Sequence, residues 1–491
     1  MNRRVRIDGR TLTPEGLARI AAGENAEIEE NARLRMDSSA RWYQAEGESH
    51  VVRRKWPFLT EGDRTDGAIV RTFVLGHCAG VGEPLSEAVT RASMAARANV
   101  LATGNSGARA ACAVQLLGML EEGRIPVVPS KGSVGAAGDL APLAHILRVA
   151  CGYGGKVWQD GRPVPADSVP TELPDLQPSE KEALSMINGA TVTAAMGALA
   201  CHLARQLLTT AEAAAALSFD VVRADLHCLS AEALGARRHT GGIQVASRMR
   251  ALLAGSELCG EGRKPDPFSI RCTPAVLGTA WEVLEHAEQT VERELNGACD
   301  NPLVLSGGRV VEAGNFHGAP VASAMDQLKV VLTQVASIAE RRIFRMNYGQ
   351  LSGLPSFLVA GTGLNSGLMI AQYTAASLVS ECKGWSHPAS VDSIPTVQHH
   401  EDHVSMGPIA ARGAMHVAEA LAHVLAIELM CGAQALDLQR AAGHGPAGRG
   451  SQVAYNRVRE LVARWDDDQV LYPDLHRLGA AVREGAFARP E

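Results

Sequence analysis

The chain has 491 residues, enough to bury a large core in one long helical domain or in two or three smaller ones. It carries 47 basic and 53 acidic residues, and this near balance argues against nucleic acid or an anionic membrane as an obligatory partner. Only 4% of the residues are aromatic while Ala and Leu are abundant, which favours packed helices over strands.

The N-terminal region is predicted to form a small cap. A short strand is expected around residues 5–7, followed by a helix that begins at Thr13-Pro14, because Thr is a favoured N-cap and Pro a favoured first residue. A second helix is expected over 24–41, and the polar, basic residues 47–67 are expected to form a loop. The first residues lack the apolar core of a signal peptide, which favours a cytoplasmic location.

The rest of the chain is predicted to be largely helical. Helices are expected over about 68–122 and, after a Gly-rich segment at 129–145, almost continuously over 178–255. Later helices with apolar residues at three- and four-residue spacing are expected at 273–297, 318–345, 364–384, 407–436 and about 454–464. This pattern predicts a mainly α fold, an elongated central helical bundle with a small N-terminal cap.

Two features exclude other classes of protein. The apolar stretch 191–222 is interrupted by His202, Arg205 and Glu212, so it is interpreted as a buried helix and not as a membrane span. The ten cysteines include no C-x-x-C pair, so we expect buried free thiols and neither a disulfide framework nor a metal site.

Unusual residues concentrate in five loops, and loops are where function is commonly carried. The loops are GHCAGVGEPL at 76–85, GSVGAAGDLAPLAH at 132–145, MINGA at 186–190, DPFSIRC at 266–272 and HPASVDSIPTVQHHEDHVSMG at 387–407.

Together with CDNPLV at 299–304 and GNFHG at 314–318, these loops resemble the histidine ammonia-lyase and aromatic amino acid lyase family. The resemblance runs in one uninterrupted order from about Thr11 to about Gln439. It implies the fold of that family, with a cap and active-site loop at 1–60, the prosthetic-group loop and first helices at 61–250, a central bundle at 251–440 and a helical tail at 441–491.

The family makes its own electrophile from an Ala-Ser-Gly triplet, which cyclises and loses water to give a methylidene-imidazolone (MIO). In this chain the triplet reads Ala136-Ala137-Gly138, and alanine has no hydroxyl to eliminate. We therefore expect no MIO and no other cofactor. Either the serine was lost in an inactivated mutant, or the natural protein works without MIO.

Two further departures favour the natural explanation. The stretch that corresponds to the family's loop tyrosine is the basic segment 53–58, which contains no tyrosine. A second expected tyrosine is Phe268, and the glutamine usual before it is Pro265.

The resemblance implies that the substrate-holding residues remain. Arg271 matches the guanidinium that pairs with the substrate carboxylate through two parallel charged hydrogen bonds, and Asn188 matches an amide on the carboxylate side. His77 and Glu401 match the pair that faces an imidazole ring, and Phe316 matches an aromatic wall. Each also fits a structural role: His77 as a core histidine, Arg271 in an interior ion pair and Glu401 at a helix N-terminus.

The lead hypothesis follows from leaving-group chemistry. β-Elimination of ammonia is difficult because the β-proton is weakly acidic and a free amine is a poor leaving group, which MIO corrects by alkylating the amine. A trimethylated nitrogen leaves directly as neutral trimethylamine, as in ergothionase, a histidine ammonia-lyase relative regarded as working without MIO. We expect a small-molecule lyase that acts on a histidine betaine (ergothioneine- or hercynine-like) and releases trimethylamine and a urocanate-like acid.

Aromatic faces commonly hold quaternary ammonium groups, and Trp56, Phe268 and Phe316 are candidates for that role. Lys55 is the predicted general base, provided that burial and the neighbouring arginines lower its pKa, and Tyr43 is the second candidate. A solvated basic loop at 53–55 is the structural alternative.

Three other functions stay open: a family lyase or aminomutase with a mutated triplet, a non-catalytic binding or scaffold protein, and a different MIO-free reaction of specialised metabolism. His399, His400 and His403 do not match a helical zinc pattern such as H-E-x-x-H, so no metal is predicted.

The resemblance also implies a homotetramer whose active sites draw loops from three subunits. The segments 42–60, 266–271, 315–317 and 398–403 are expected to meet only in that assembly.

Overall fold

The computed structural model of the chain describes residues 4–46, 66–260, 266–361 and 363–488. Most of the predicted loop at 47–67, with Lys55 and Trp56, lies outside the described residues, as does Pro265. The chain divides into two compact units. The first comprises residues 1–202, 287–326 and 388–412, and the second 203–286, 327–387 and 413–491. Both units are discontinuous in sequence. The sequence-based division into consecutive regions, with boundaries after residues 60, 250 and 440, describes something different and stays a prediction.

Helices dominate the described residues, which confirms the predicted mainly α class. They are α1 Pro14–Ala21, α2 Glu30–Glu46, α3 Asp66–His77, α4 Glu87–Ala102, α5 Ala110–Glu121, α6 Leu140–Ala150, α7 Glu180–Ile187, α8 Thr191–Val221, α9 Ala231–Arg237, α10 Thr240–Leu252, α11 Phe268–Arg271, α12 Thr273–Leu295, α13 Ala319–Asn347, α14 Gly349–Ser352, α15 Met369–Trp385, α16 Gly407–Ala441, α17 Arg449–Leu461 and α18 Tyr472–Arg483.

The strands of the described residues form four two-stranded sheets, all in the first unit. They are β1 Val5–Ile7 with β2 Ala26–Ile28, β3 Val81–Pro84 with β4 Pro129–Lys131, β5 Lys156–Gln159 with β6 Arg162–Pro165, and β7 Leu303–Val304 with β8 Val310–Val311. Only β1 was predicted from the sequence, because the other strands have two to four residues and too little alternation to stand out.

Helix starts follow the local capping chemistry. Thr13 caps α1 as predicted, its hydroxyl accepting from the Gly16 amide at 3.1 Å. Ser179 and Glu182 form a capping box at α7, which the sequence analysis missed when it extended one helix over 178–255. That helix is interrupted at Asn188–Ala190, where Gly189 has a φ of +114°. The predicted helix at 24–41 begins instead at Glu30, because β2 precedes it.

One described helix, α16, is long and apolar enough to cross a membrane. Its most apolar window is 72% buried inside the structure, so it is accounted for as a core helix.

The second unit buries an ion pair, in which Arg342 Nε lies 2.5 Å from Glu428 Oε1 and both side chains are fully buried.

Candidate active site

The triplet loop comprises residues 133–139. It is hydrogen-bonded to the turn that joins α7 to α8. Gly138 and Gly189 form a bridge in which the Gly189 amide donates to the Ala137 carbonyl at 3.1 Å and the Asp139 amide donates to the Gly189 carbonyl at 2.8 Å. A Cβ added at Gly138, whose φ is +89°, would overlap the backbone of Gly189. Glycine is therefore required at position 138 for two reasons. The backbone there is left-handed, and the backbone of Gly189 approaches it closely.

Asp139 connects the triplet loop to the beginning of α8. Its carboxylate is fully buried at the N-cap of α6, and it accepts from the Thr193 amide at 2.7 Å and from the Thr193 hydroxyl at 3.1 Å. Burial raises the pKa of Asp139 to about 6, because the loss of solvation outweighs the hydrogen bonds from Thr193 and Ser133. The sequence analysis did not single out Asp139, although an acidic residue directly before a helix is a recognisable N-cap signal.

The segment 404–407 covers the other side of the triplet loop. Ser405 Oγ donates to the Gly135 carbonyl at 2.9 Å, and the Met406 amide donates to the Val134 carbonyl at 2.8 Å. Val404 and Met406 pack with Ala136 in a small buried cluster. The loop is thus held from both sides by backbone and side-chain contacts, none of which involves the side chain of Ala137.

Asn188 lies at the C-terminal end of α7, beside the bridge. Its side chain is buried, and within the described residues its Oδ1 has no hydrogen-bond partner. Its backbone carbonyl accepts from Arg97 Nη1 at 2.5 Å. Arg97 in turn lies 3.7 Å from Asp300, which also lies 3.5 Å from Lys181. An ionic cluster therefore holds the backbone of Asn188, while its side-chain oxygen is a buried acceptor without a partner in the described residues.

Two further segments lie beside the residues that hold the triplet loop. A Cβ added at Gly318 would lie 3.1 Å from the Ala190 Cβ and 3.1 Å from Ser405 Oγ, so the turn 314–318 adjoins both loops. His317 stacks on His403 with ring centroids 5.4 Å apart, and Phe316, half-buried, immediately precedes it. The segments 315–317 and 398–403 thus already contact each other within one chain. The expectation that all four segments, with 42–60 and 266–271, come together in a tetramer stays a prediction.

Glu401 is held by its own loop. Thr396 Oγ1 donates to Glu401 Oε2 at 2.6 Å, and the two residues form an antiparallel bridge. Between them Val397, Gln398 and His399 all have positive φ, an uncommon and costly conformation for residues other than glycine. The carboxylate is thus fixed by Thr396 and not by a helix N-terminus.

His77 is the last residue of α3. It is half-buried, its Nδ1 lies 2.7 Å from the Phe73 carbonyl, and its ring centroid lies 4.3 Å from that of Phe73. The strand that follows His77, β3, is therefore paired with the strand that directly precedes the triplet loop, β4.

Comparisons with known proteins were consistent with this arrangement. Residues 63–460 match the family described as aromatic amino acid lyase. The chain belongs to this family. Histidine ammonia-lyase of Anaeromyxobacter dehalogenans is 43% identical over 98% of this chain and 99% of its own length. The chain is accordingly a lyase that acts on a small molecule, as the sequence analysis predicted.

Solved structures of lyase-family members share the fold. Histidine ammonia-lyase from Trypanosoma cruzi is 36% identical, with a TM-score of 0.91 over 99% of this chain and 94% of that one. The ergothioneine-degrading enzyme ergothionase from Treponema denticola gives a TM-score of 0.87 over 99% of this chain and 100% of that one. Its identity is only 21%, so this second likeness concerns the fold alone.

The prosthetic group of the lyase family does not fit residue 137. Ala137 supplies a methyl group and no hydroxyl, so the dehydration that would create the methylene has no leaving oxygen. The surrounding backbone of the triplet loop is nevertheless tightly held, as described above. No chemical step is therefore assigned to MIO in this chain.

The other predicted site residues are placed as follows. Tyr43 is only 3% exposed, and its ring lies 5.9 Å from Lys181 Nζ. Its role as the second candidate base stays a prediction. Phe268 and Arg271 lie on α11 in the second unit, where Phe268 is 68% exposed and its ring centroid lies 4.7 Å from Arg271 Cζ. In the described residues no group of three or more His, Cys, Asp or Glu side chains is placed to hold a metal ion.

Proposed function

We propose that this lyase performs MIO-independent β-elimination on a histidine betaine, ergothioneine- or hercynine-like, and releases trimethylamine and a urocanate-like acid. The observation that carries the proposal is Ala137, at the position of the missing serine, in a triplet loop whose supporting contacts are otherwise complete. A chain without this electrophile needs a substrate whose nitrogen leaves without help.

The reaction balances without a co-reactant. A base removes the β-proton, the electrons of that C–H bond form the new C=C bond, and the C–N bond breaks with its electron pair remaining on nitrogen. The cationic trimethylammonium group thereby becomes neutral trimethylamine. A proton is transferred to the base and later returned to solvent, so the chain ends the cycle unchanged.

Residue roles follow from chemistry and from the family positions. His77 and Glu401 are proposed to hold the imidazole ring, and Arg271 to pair with the carboxylate. Asn188 offers a buried carbonyl dipole that suits a cationic substrate, since its Oδ1 has no hydrogen-bond partner in the described residues.

Aromatic faces and the base complete the proposal. Phe316, Phe268 and Trp56 are proposed to face the quaternary ammonium group. Lys55 remains the proposed base because it replaces the loop tyrosine of the family, and Trp56 and Lys55 both belong to the part of the chain outside the described residues.

The test is turnover of ergothioneine, hercynine and L-histidine by the purified protein, followed by absorbance of the conjugated acid and by the amine released. Trimethylamine from either betaine with no ammonia from histidine supports the proposal. Arg271→Met should abolish this turnover, while Arg162→Met, an exposed residue on β6, should leave it unchanged. Release of ammonia from histidine at a comparable rate would contradict the proposal.

Histidine itself is the second candidate substrate, because relatives 43% identical to the chain are named histidine ammonia-lyases. A triplet restored by Ala137→Ser and active only on histidine would favour this alternative. Binding of hercynine without turnover would instead favour a non-catalytic relative.

We also propose a cytoplasmic homotetramer, as the family resemblance implies. Sedimentation velocity of the purified chain tests the assembly, and a monomer at micromolar concentration would contradict it.

A further inference from the structure

A cavity of about 540 Å³ lies in the second unit, away in sequence from every segment of the candidate active site. Pockets for small molecules commonly have volumes of roughly 300–1,000 Å³ and mostly apolar walls. The walls here come from α8, α10, α17 and the residues that follow α18. We call it the arginine cavity, because Arg248, Arg449 and Arg457 all line it.

The sequence explains why the space stays open. Arg449, Val453 and Arg457 follow one another at four-residue spacing on α17, so they share one face of that helix. A Cβ added at Gly450 would overlap Leu252, so α17 and α10 are in contact there. Several other lining residues are small, such as Ala251. Their side chains do not fill the space between the helices, as larger side chains would.

The charges around the arginine cavity are not balanced. Among the described residues, its lining has three guanidinium groups but one carboxylate, Glu212. Glu212 is buried and fully engaged, with two donors from Arg248 at 2.7 Å each and the Trp281 Nε1 donor at 2.7 Å. Arg248 is thereby neutralised, and the positive charge that remains belongs to the other two arginines.

Those two arginines have little to bind within the chain. In the part of the chain that the structure describes, the Arg449 guanidinium has no hydrogen-bond or ion-pair partner. Within the same described residues Arg457 donates only to Glu460, at 3.3 Å. Both of these side chains are more than a third exposed, so the pair is weak. The guanidinium groups of Arg449 and Arg457 are therefore hydrogen-bond donors at the edge of the arginine cavity.

We propose that the arginine cavity is a binding site for a small carboxylate with an apolar body. The carboxylate is held by Arg449 and Arg457, whose guanidinium geometry suits bidentate pairing, and the body packs on Val453, Leu252 and Phe487. The site is independent of the proposed elimination reaction, since none of its residues takes part in it.

Isothermal titration of the full-length protein tests this with octanoate as the probe and with octanol and acetate as controls. Octanoate should bind at one site per chain, while octanol, which lacks the charge, and acetate, which lacks the body, should bind at least about tenfold more weakly. Arg449→Met and Arg457→Met keep the aliphatic stem and should each weaken octanoate binding by about tenfold or more. Arg162→Met, distant in sequence and exposed, should leave it unchanged.

A second kind of variant separates binding from folding. Ala251→Phe fills the cavity from an exposed position and should abolish octanoate binding with both arginines intact. Circular dichroism and thermal melting check that each variant is folded. Absence of octanoate binding to the unmodified chain, octanol binding as tight as octanoate binding, or unchanged affinity in the two arginine variants would overturn the proposal.

Discussion

The triplet loop and the arginine cavity use their polar groups in opposite ways. In the triplet loop, the amide of Asp139 and the carbonyls of Ala137 and Gly135 all bond to other parts of the chain. At the cavity rim, Arg449 and Arg457 make almost no such bonds. From this difference we infer that the polar groups of the triplet loop hold the backbone in place, whereas the arginines of the cavity remain able to bind a ligand. Substitutions should therefore cost stability in the first region and affinity in the second.

The largest loss of stability is expected at Gly138. A side chain there would overlap the Gly189 backbone and would also occupy a left-handed conformation. Gly138→Ala should lower the free energy of unfolding by about 4 kcal/mol or prevent folding. Gly161→Ala is the matched control, because Gly161 has a φ of +72° but open space around it, and it should cost only about 1 kcal/mol. Urea titration of both variants measures the difference, and equal losses would contradict the packing argument.

A pH-dependent loss is expected from Asp139. Its folded pKa of about 6 exceeds the unfolded value of about 4, so the folded state binds the proton more tightly. The stabilisation is fully present below about pH 4 and is lost as the pH rises through 6, by about 3 kcal/mol in total. Asp139→Asn does not titrate and should make this slope shallower, whereas the exposed Asp167→Asn should retain it. The slope that remains is expected from the buried Asp220 and Glu294, whose pKa values burial also raises. An unchanged slope in Asp139→Asn would contradict the assignment.

A smaller loss is expected at Ser405. Ser405→Ala removes the donor to the buried Gly135 carbonyl and should cost about 1–3 kcal/mol. Ser168→Ala, whose hydroxyl bonds an exposed local carbonyl, should cost less than about 0.5 kcal/mol. Thermal unfolding of the two variants compares them, and a neutral Ser405→Ala would show that segment 404–407 does not hold the loop.

The smallest effect is expected at the arginine cavity. Arg449→Met removes a side chain with no partner in the described residues, so the free energy of unfolding should change by less than about 0.5 kcal/mol. The same urea titration used for Gly138→Ala measures it. A loss above about 1 kcal/mol would mean that Arg449 stabilises the fold, and the contrast between the two regions would fail.

Much of the fold could be predicted from the sequence, because its signals are local. The capping hydroxyl of Thr13 and the apolar spacing of α12, α13 and α16 indicated those helices near their observed bounds. Four-residue strands such as β5 and β6 could not be predicted, since such short segments have too few residues to show a period.

The candidate site was predicted in part. Its family motifs identified the triplet loop and Asn188, but the residues that hold the loop were missed. Ser405 and Gly135 are separated by 270 residues, and no local pattern indicates that they touch. Local patterns likewise do not indicate the two discontinuous units, because each unit contains helices that are distant in sequence.

The central claim is that the triplet loop lacks an electrophile, so turnover depends on how well the substrate nitrogen leaves. The most direct test is to compare kcat/KM for histidine with its α-nitrogen carrying zero, two or three methyl groups. We predict release of trimethylamine from the trimethylated substrate and no measurable amine from the other two. The quaternary nitrogen keeps its positive charge permanently, whereas a nitrogen with zero or two methyl groups can lose a proton and would then have to leave as an amide anion. Comparable rates for all three, or ammonia from histidine alone, would contradict the account.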